Sequence, residues 1–161
     1  MEFRVVDFEK LTHHYKNYQD GLKKIEEEKK LILQKVEPFR KEMQNIVADA
    51  QNGVVVDKAI EQERYEKFQK LQQEMLSIDK DAKFHLGKMS DALTKEIYAE
   101  LEKTVSTWSI ENSIDIIVGK LEVVYAKEEF EVTNQILDIF KENGLYVDDL
   151  MEERLREKES V

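Results

Sequence analysis

The chain has 161 residues, 37% of them charged and 41% hydrophobic, with five Gly, one Pro, no Cys and a net charge of −10. That composition belongs to long helices and coiled coils rather than to a compact enzyme, and so acidic a chain gains nothing from counterion release on DNA or RNA, so nucleic acid is not an expected partner. The lack of Cys excludes disulfides, thiol nucleophiles and zinc thiolates, and no apolar run is long enough for direct membrane insertion.

The opening Met1-Glu2-Phe3-Arg4 has no basic stretch followed by an apolar core, so no signal peptide is expected in it. The protein is then cytoplasmic if Met1 is its native start and periplasmic if a leader has been removed. Phe3-Arg4-Val5-Val6 reads as a short strand, and Asp7 as the cap of the helix that follows.

A helix is predicted over about residues 8–49. Its apolar positions Leu11, Tyr15, Tyr18, Leu22, Ile25, Ile32, Val36, Phe39, Met43 and Ile46 alternate steps of three and four, with Lys29 completing the series. This 3.5-residue repeat makes one seam, built to lie along another helix. Such a helix is roughly 60 Å long at 1.5 Å per residue, too long to be wrapped into a compact globule. Pro38 falls inside the repeat and is read as a kink, not an end. Asn52-Gly53 is the strongest breaker in the middle of the chain, and Val54, Val55 and Val56 after it are read as a cap on the tip.

The second helix is predicted over about residues 58–110. Its seam is Phe68, Leu71, Met75, Ile78, Ala82, His85 and Met89, slipping register near Ala92 to Leu93, Ile97, Leu101, Val105 and Trp108. Ile114-Asp115-Ile116-Ile117-Val118 and Leu121-Glu122-Val123-Val124-Tyr125, around Gly119-Lys120, predict a β-hairpin. Such a hairpin needs a further strand, a helix or copies of itself to be stable. Residues 130–140 predict a short amphipathic helix ended by Asn143-Gly144.

With strands near both ends and helices between, the expected fold is mainly α with a small β base (α+β). A long antiparallel coiled-coil hairpin projects from that base. The domain plan is residues 1–7 with 111–143 as the base, 8–110 as the arm with its tip near 50–57, and 144–161 as an acidic tail.

The charged residues suit solvated helix faces better than chemistry. Glu26-Glu27-Glu28 lies among Lys23, Lys24, Lys29 and Lys30, which suits i,i+4 pairing on a wet surface. General acid–base work needs carboxylates in a dry pocket. His13 and His14 are adjacent and point different ways, so both are read as surface histidines rather than metal ligands. With no phosphate loop or nucleophile elbow either, the sequence predicts no catalytic, metal or cofactor-binding residue and no enzyme.

Two stretches carry a family resemblance. One is Arg4-Val5-Val6-Asp7-Phe8-Glu9-Lys10-Leu11 leading into a long Lys/Glu/Gln-rich helix. The other is Ile114-Asp115-Ile116-Ile117-Val118 with Val123-Val124-Tyr125-Ala126 and then Val132-Thr133-Asn134-Gln135-Ile136-Leu137. In order and length, over residues 3–143, the chain resembles the Skp/OmpH family of ATP-independent chaperones. The resemblance implies a homotrimer whose strands build a common base and whose helical hairpins enclose unfolded outer-membrane proteins. The base residues expected to assemble copies are Val5, Val6, Ile114, Ile116, Val118, Leu121, Val123 and Tyr125. Beside the seams, Leu31, Leu33, Tyr65, Leu76, Phe84 and Leu86 are the expected contacts for unfolded clients. The seam methionines Met43, Met75 and Met89 are assigned to packing first. The competing expectation is a structural or tethering coiled coil, a virion or envelope component with one defined partner. A bacteriophage-encoded chaperone for phage structural proteins is the version that suits a missing leader.

Overall fold

The computed structural model describes residues 1–52 and 57–148. Its elements are β1 (Phe3–Val6), α1 (Phe8–His14), α2 (Lys16–Gln51), α3 (Lys58–Glu111), β2 (Ile116–Gly119), two single 3-10 turns, and α4 (Thr133–Glu142). The fold is mainly α with a small β component, as the sequence predicts. It divides into two compact units, one joining Met1–Lys23 to the chain from Asp91 onward and the other comprising Lys24–Ser90. The expected tip cap at residues 54–56, and Leu150, Met151 and Leu155 of the tail, lie outside the described residues.

In the first unit, β1 and β2 pair in parallel, Phe3 opposite Ile116 and Val6 opposite Gly119. Parallel neighbours need a long connection between them, and α1, α2 and α3 supply it. The strands are held at their start by Asp115, whose carboxylate accepts the Glu2 N–H at 2.6 Å. The Asp7 carboxylate caps α1 by accepting the Lys10 N–H at 3.0 Å. The Asp7 N–H donates to the buried Thr133 hydroxyl at 2.9 Å, tying the start of α1 to the start of α4. The core below is apolar: Val6, Leu11, Ile97, Leu101, Ile136 and Phe140 are almost fully enclosed. Each such side chain contributes roughly 1.5–3 kcal/mol by leaving water.

The expected β-hairpin does not form. Gly119 has φ −64° and ψ 141°, and residues 120–122 make a single 3-10 turn closed by the Val123 N–H on the Lys120 carbonyl. A two-residue hairpin turn needs positive φ in its central residues, which this backbone does not adopt. Among the described residues no strand pairs with the edge of β2 that a hairpin partner would occupy, and β1 takes the other. The run from Leu121 to Tyr125 is left outside any strand.

The first long helix is broken where the sequence predicts continuity. Tyr15 is extended, with φ −85° and ψ 117°, between α1 and α2. Nothing local breaks the helix there, since residues 12–19 contain neither Gly nor Pro. At the break Tyr15 forms an antiparallel bridge with Tyr146. Pro38, by contrast, lies inside α2 without ending it.

In the second unit α2 and α3 run antiparallel, with Glu28 facing His85 and Glu42 paired to Lys67. The half-buried seam of α2 there is Ile25, Glu28, Ile32, Val36, Phe39, Met43 and Ile46, so Glu28 takes the place expected for Lys29. The α3 seam passes through Leu86 rather than His85, which adds a slip of register between Ile78 and Leu86 to the expected one near Ala92, where Leu93, Ile97, Leu101 and Val105 follow Met89 in four-residue steps. In the second unit each helix therefore takes two successive four-residue steps, 28–32–36 and 78–82–86. An α-helix has 3.6 residues per turn and drifts from a strict heptad; such a stutter restores alignment.

Candidate functional surfaces

Two surfaces combine exposed apolar side chains with open grooves, one in each unit. In the second unit, five of the six expected client-contact residues stand in solvent, from Leu31 at 51% exposure to Phe84 at 66%, with Leu33, Tyr65 and Leu76 between them. Leu86 does not; it is half-buried in the seam. Its helix takes the four-residue steps described above, which turn position 86 inward and His85 outward.

Leu33 and Leu76 both line a groove of about 430 Å³ between α2 and α3, together with Met43 and Met75. A second groove, of about 380 Å³, shares Arg40, Met43 and Met75 with the first and extends past Val47 and Phe68. The methionines thus serve the seam and the groove together. Their unbranched thioethers adapt to irregular apolar shapes, so the same side chains that pack the hairpin line a surface of low specificity. Leu33, Arg40 and Val47 recur every seven residues and so fall on one line of α2. Phe84 sits apart from the grooves, with the Lys88 ammonium 4.4 Å from its ring centroid. The ion pairs along the hairpin, Lys83–Asp79 at 2.8 Å among them, are exposed and contribute little each.

In the first unit, Leu121 and Tyr125 are strongly exposed and Ile116 moderately so. Ile114, Val118 and Val123 are half-buried, while Val5 and Val6 are buried inside the unit itself. The core accepts Ile117 rather than Ile116 from β2. Two exposed residues that the sequence reading passed over join this surface: Val124, fully exposed, and Ile110 at the end of α3. A shared hairpin face gave no reason to single out Val124; it is open because no strand forms there. A groove of about 530 Å³ runs between the last turns of α3 and β2, past Ile110, Ile114 and Val118. Phe8 and Tyr98 stack at its wall with centroids 5.7 Å apart.

A polar network surrounds Tyr15 in the first unit. Tyr15 is 5% exposed, and its hydroxyl donates to Glu100 Oε2 at 2.7 Å. The Asn17 amide reaches the same carboxylate oxygen at 3.0 Å and the Tyr15 oxygen at 3.3 Å. Burial, then the hydrogen bond to and negative charge of Glu100, push the Tyr15 hydroxyl up to about 12. It stays protonated and acts as a fixed donor.

His14, expected at the surface, is instead buried. Its ring stacks on Tyr146 at 5.2 Å, and Nδ1 lies 2.8 Å from the Val147 carbonyl, so that nitrogen carries the proton. Among the described residues no three His, Asp or Glu side chains converge on a metal-sized site, and no helix is long and apolar enough to cross a membrane.

Residues 2–140 match the family described as outer membrane protein, OmpH-like. No curated protein matches the chain.

Proposed function

This chain belongs to the OmpH-like family, and from that premise we propose that it is a holdase chaperone. It acts as a homotrimer that keeps unfolded proteins from aggregating without ATP and without catalysing a reaction. Its clients are unfolded outer-membrane β-barrel proteins, the class implied by the family resemblance, held between the helical hairpins.

One surface feature carries the proposal. Leu31, Leu33, Tyr65, Leu76 and Phe84 are exposed on paired helices, beside a seam that the helices themselves half-bury. Covering any one of them is worth at most about 1.5–3 kcal/mol, too little to hold a client alone. Spread over a hairpin and multiplied by three copies, such contacts add through effective concentration. The grip is then weak at each point, broad in specificity and reversible without nucleotide. The charge of −10 keeps a loaded complex soluble.

The β2 edge that no described strand takes, with Ile116, Leu121, Val124 and Tyr125 exposed near it, supports assembly. Unpaired strand edges bearing apolar side chains invite another chain, and a two-stranded sheet gains stability from a third strand.

The test is a pair of measurements on the full chain. Solution mass should be near three times 19.1 kDa. Aggregation of a denatured β-barrel protein, diluted without ATP, should be suppressed, and a variant with those five apolar residues replaced by Ser should lose that suppression while keeping its helical circular dichroism and its solution mass. A compact monomer that fails to suppress aggregation at several-fold excess overturns the proposal. Stoichiometric capture of one folded partner, with no effect on unfolded proteins, replaces it with a tethering role.

A further inference from the structure

Residues 144–147 lie beyond the family match and are held against the break between α1 and α2 by a closed set of bonds. The Lys16 N–H donates to the Leu145 carbonyl at 2.8 Å, and the Val147 N–H donates to the His14 carbonyl at 2.9 Å. The His14 ring adds a bond from Nδ1 to the Val147 carbonyl, and Tyr146 covers that ring. The segment is delivered by the end of α4. There the Leu145 N–H bonds the Phe140 carbonyl and the Gly144 N–H the Lys141 carbonyl, with Gly144 at φ +68°. That is the double bond pattern of a glycine-terminated helix, and it turns the chain sharply toward Tyr15.

The backbone groups these bonds satisfy have another set of partners. In a continuous helix the Lys16 N–H would bond the Thr12 carbonyl, and the His14 carbonyl would accept from Tyr18. The apolar spacing Leu11, Tyr15, Tyr18 runs through the break without a change of phase. In the broken form, the His13 carbonyl is taken by the Gln19 side chain at 2.8 Å, and the Tyr15 carbonyl accepts from Tyr18 and Gln19. Both arrangements pair these backbone groups, but only the broken one needs residues 145–147.

We propose that residues 144–147 form a strap that holds the helix open at Tyr15. The strap defines a two-state device: docked, α1 and α2 are separate; released, residues 8–51 run as one helix. Release moves Tyr15 from its extended conformation into the helix and changes the direction in which the chain leaves α1. Anything that binds residues 144–147 in preference to letting them dock therefore acts on the start of α2.

The test uses the full chain with Val147→Pro, which removes the N–H given to His14 while leaving α4 intact. Backbone carbon chemical shifts of Tyr15 should move from the extended to the helical range, and the Lys16 amide should stay protected from exchange because Thr12 now accepts it. In the double variant with Lys16→Pro, Tyr15 should return to the extended range. Proline at the first position of α2 suits the broken form, and it holds the preceding residue extended. Tyr146→Ala keeps every strap amide and should shift Tyr15 partway in the same direction, giving a milder readout if the proline variant unfolds. An extended Tyr15 in both single variants, or a Lys16 amide that exchanges freely once the strap is weakened, overturns the device.

Discussion

The substitution Tyr15→Phe removes one oxygen and leaves the ring that packs on Phe140, with centroids 4.9 Å apart. No cavity forms, so the change reports on the hydroxyl alone. Near neutral pH the variant loses a hydrogen bond to a carboxylate, typically worth about 1.5–3 kcal/mol. Asn17 still donates to Glu100, which is only half-buried, so the expected loss is near the lower end, about 1–2 kcal/mol. The pH dependence has the opposite sense. Tyr15 titrates at about 12 when folded, against 10.0 for an unperturbed tyrosine. Below pH 10 both states are protonated and the contribution is fully present. Between pH 10 and 12 the unfolded chain has released this proton and the folded chain has not, so stability falls by about 1.4 kcal/mol per pH unit, or roughly 3 kcal/mol in all. The phenylalanine variant has no such proton to release. Urea unfolding followed by helical circular dichroism, at one fixed protein concentration so that any self-association enters both curves equally, should show wild type the more stable at pH 8. The difference should shrink above pH 10 and reverse before pH 12. The other tyrosines and the lysines are common to both proteins and cancel. Parallel stability curves across that range would refute the buried-donor account of Tyr15.

Three further outcomes follow from the packing. Leu101→Ala empties a site in the core of the first unit that is 1% exposed, and urea unfolding should register a loss of about 2–5 kcal/mol. Leu86→Ser should cost about 1–2 kcal/mol while Leu76→Ser stays within about 0.5 kcal/mol of wild type; equal melting temperatures would mean that the α3 seam runs through His85 after all. Thr133→Ala leaves the part-buried Asp7 N–H without its acceptor and should cost about 1–2 kcal/mol, a loss that Thr133→Ser should largely restore.

The two long helices and their mutual seam were legible because they depend on local spacing. A 3.5-residue apolar repeat specifies a helix with one sticky stripe whatever lies around it. The fine register was less legible. Choosing between His85 and Leu86, or between Lys29 and Glu28, requires knowing where a partner helix lies, since the drift from 3.5 to 3.6 residues per turn is corrected only against that partner. Of the expected client contacts, the exposure of Leu31, Leu33, Tyr65, Leu76 and Phe84 agrees with their phase off the seam, whereas Leu86 was misplaced by that one-residue difference.

Local pattern by itself determined the helix pair, the strand at each end, the Asp7 cap and the stop at Asn143-Gly144, because each rests on neighbours within a few residues. Tertiary structure alone decided three things. It put β1, arriving from the far end of the chain, beside β2. It left residues 121–125 without a strand partner, although their alternation suits one. It opened a helix at Tyr15 where nothing in the local sequence asks for a break. In each case hydrogen-bonding groups distant in sequence compete for the same backbone, and which partner wins is set by where the folded chain carries them.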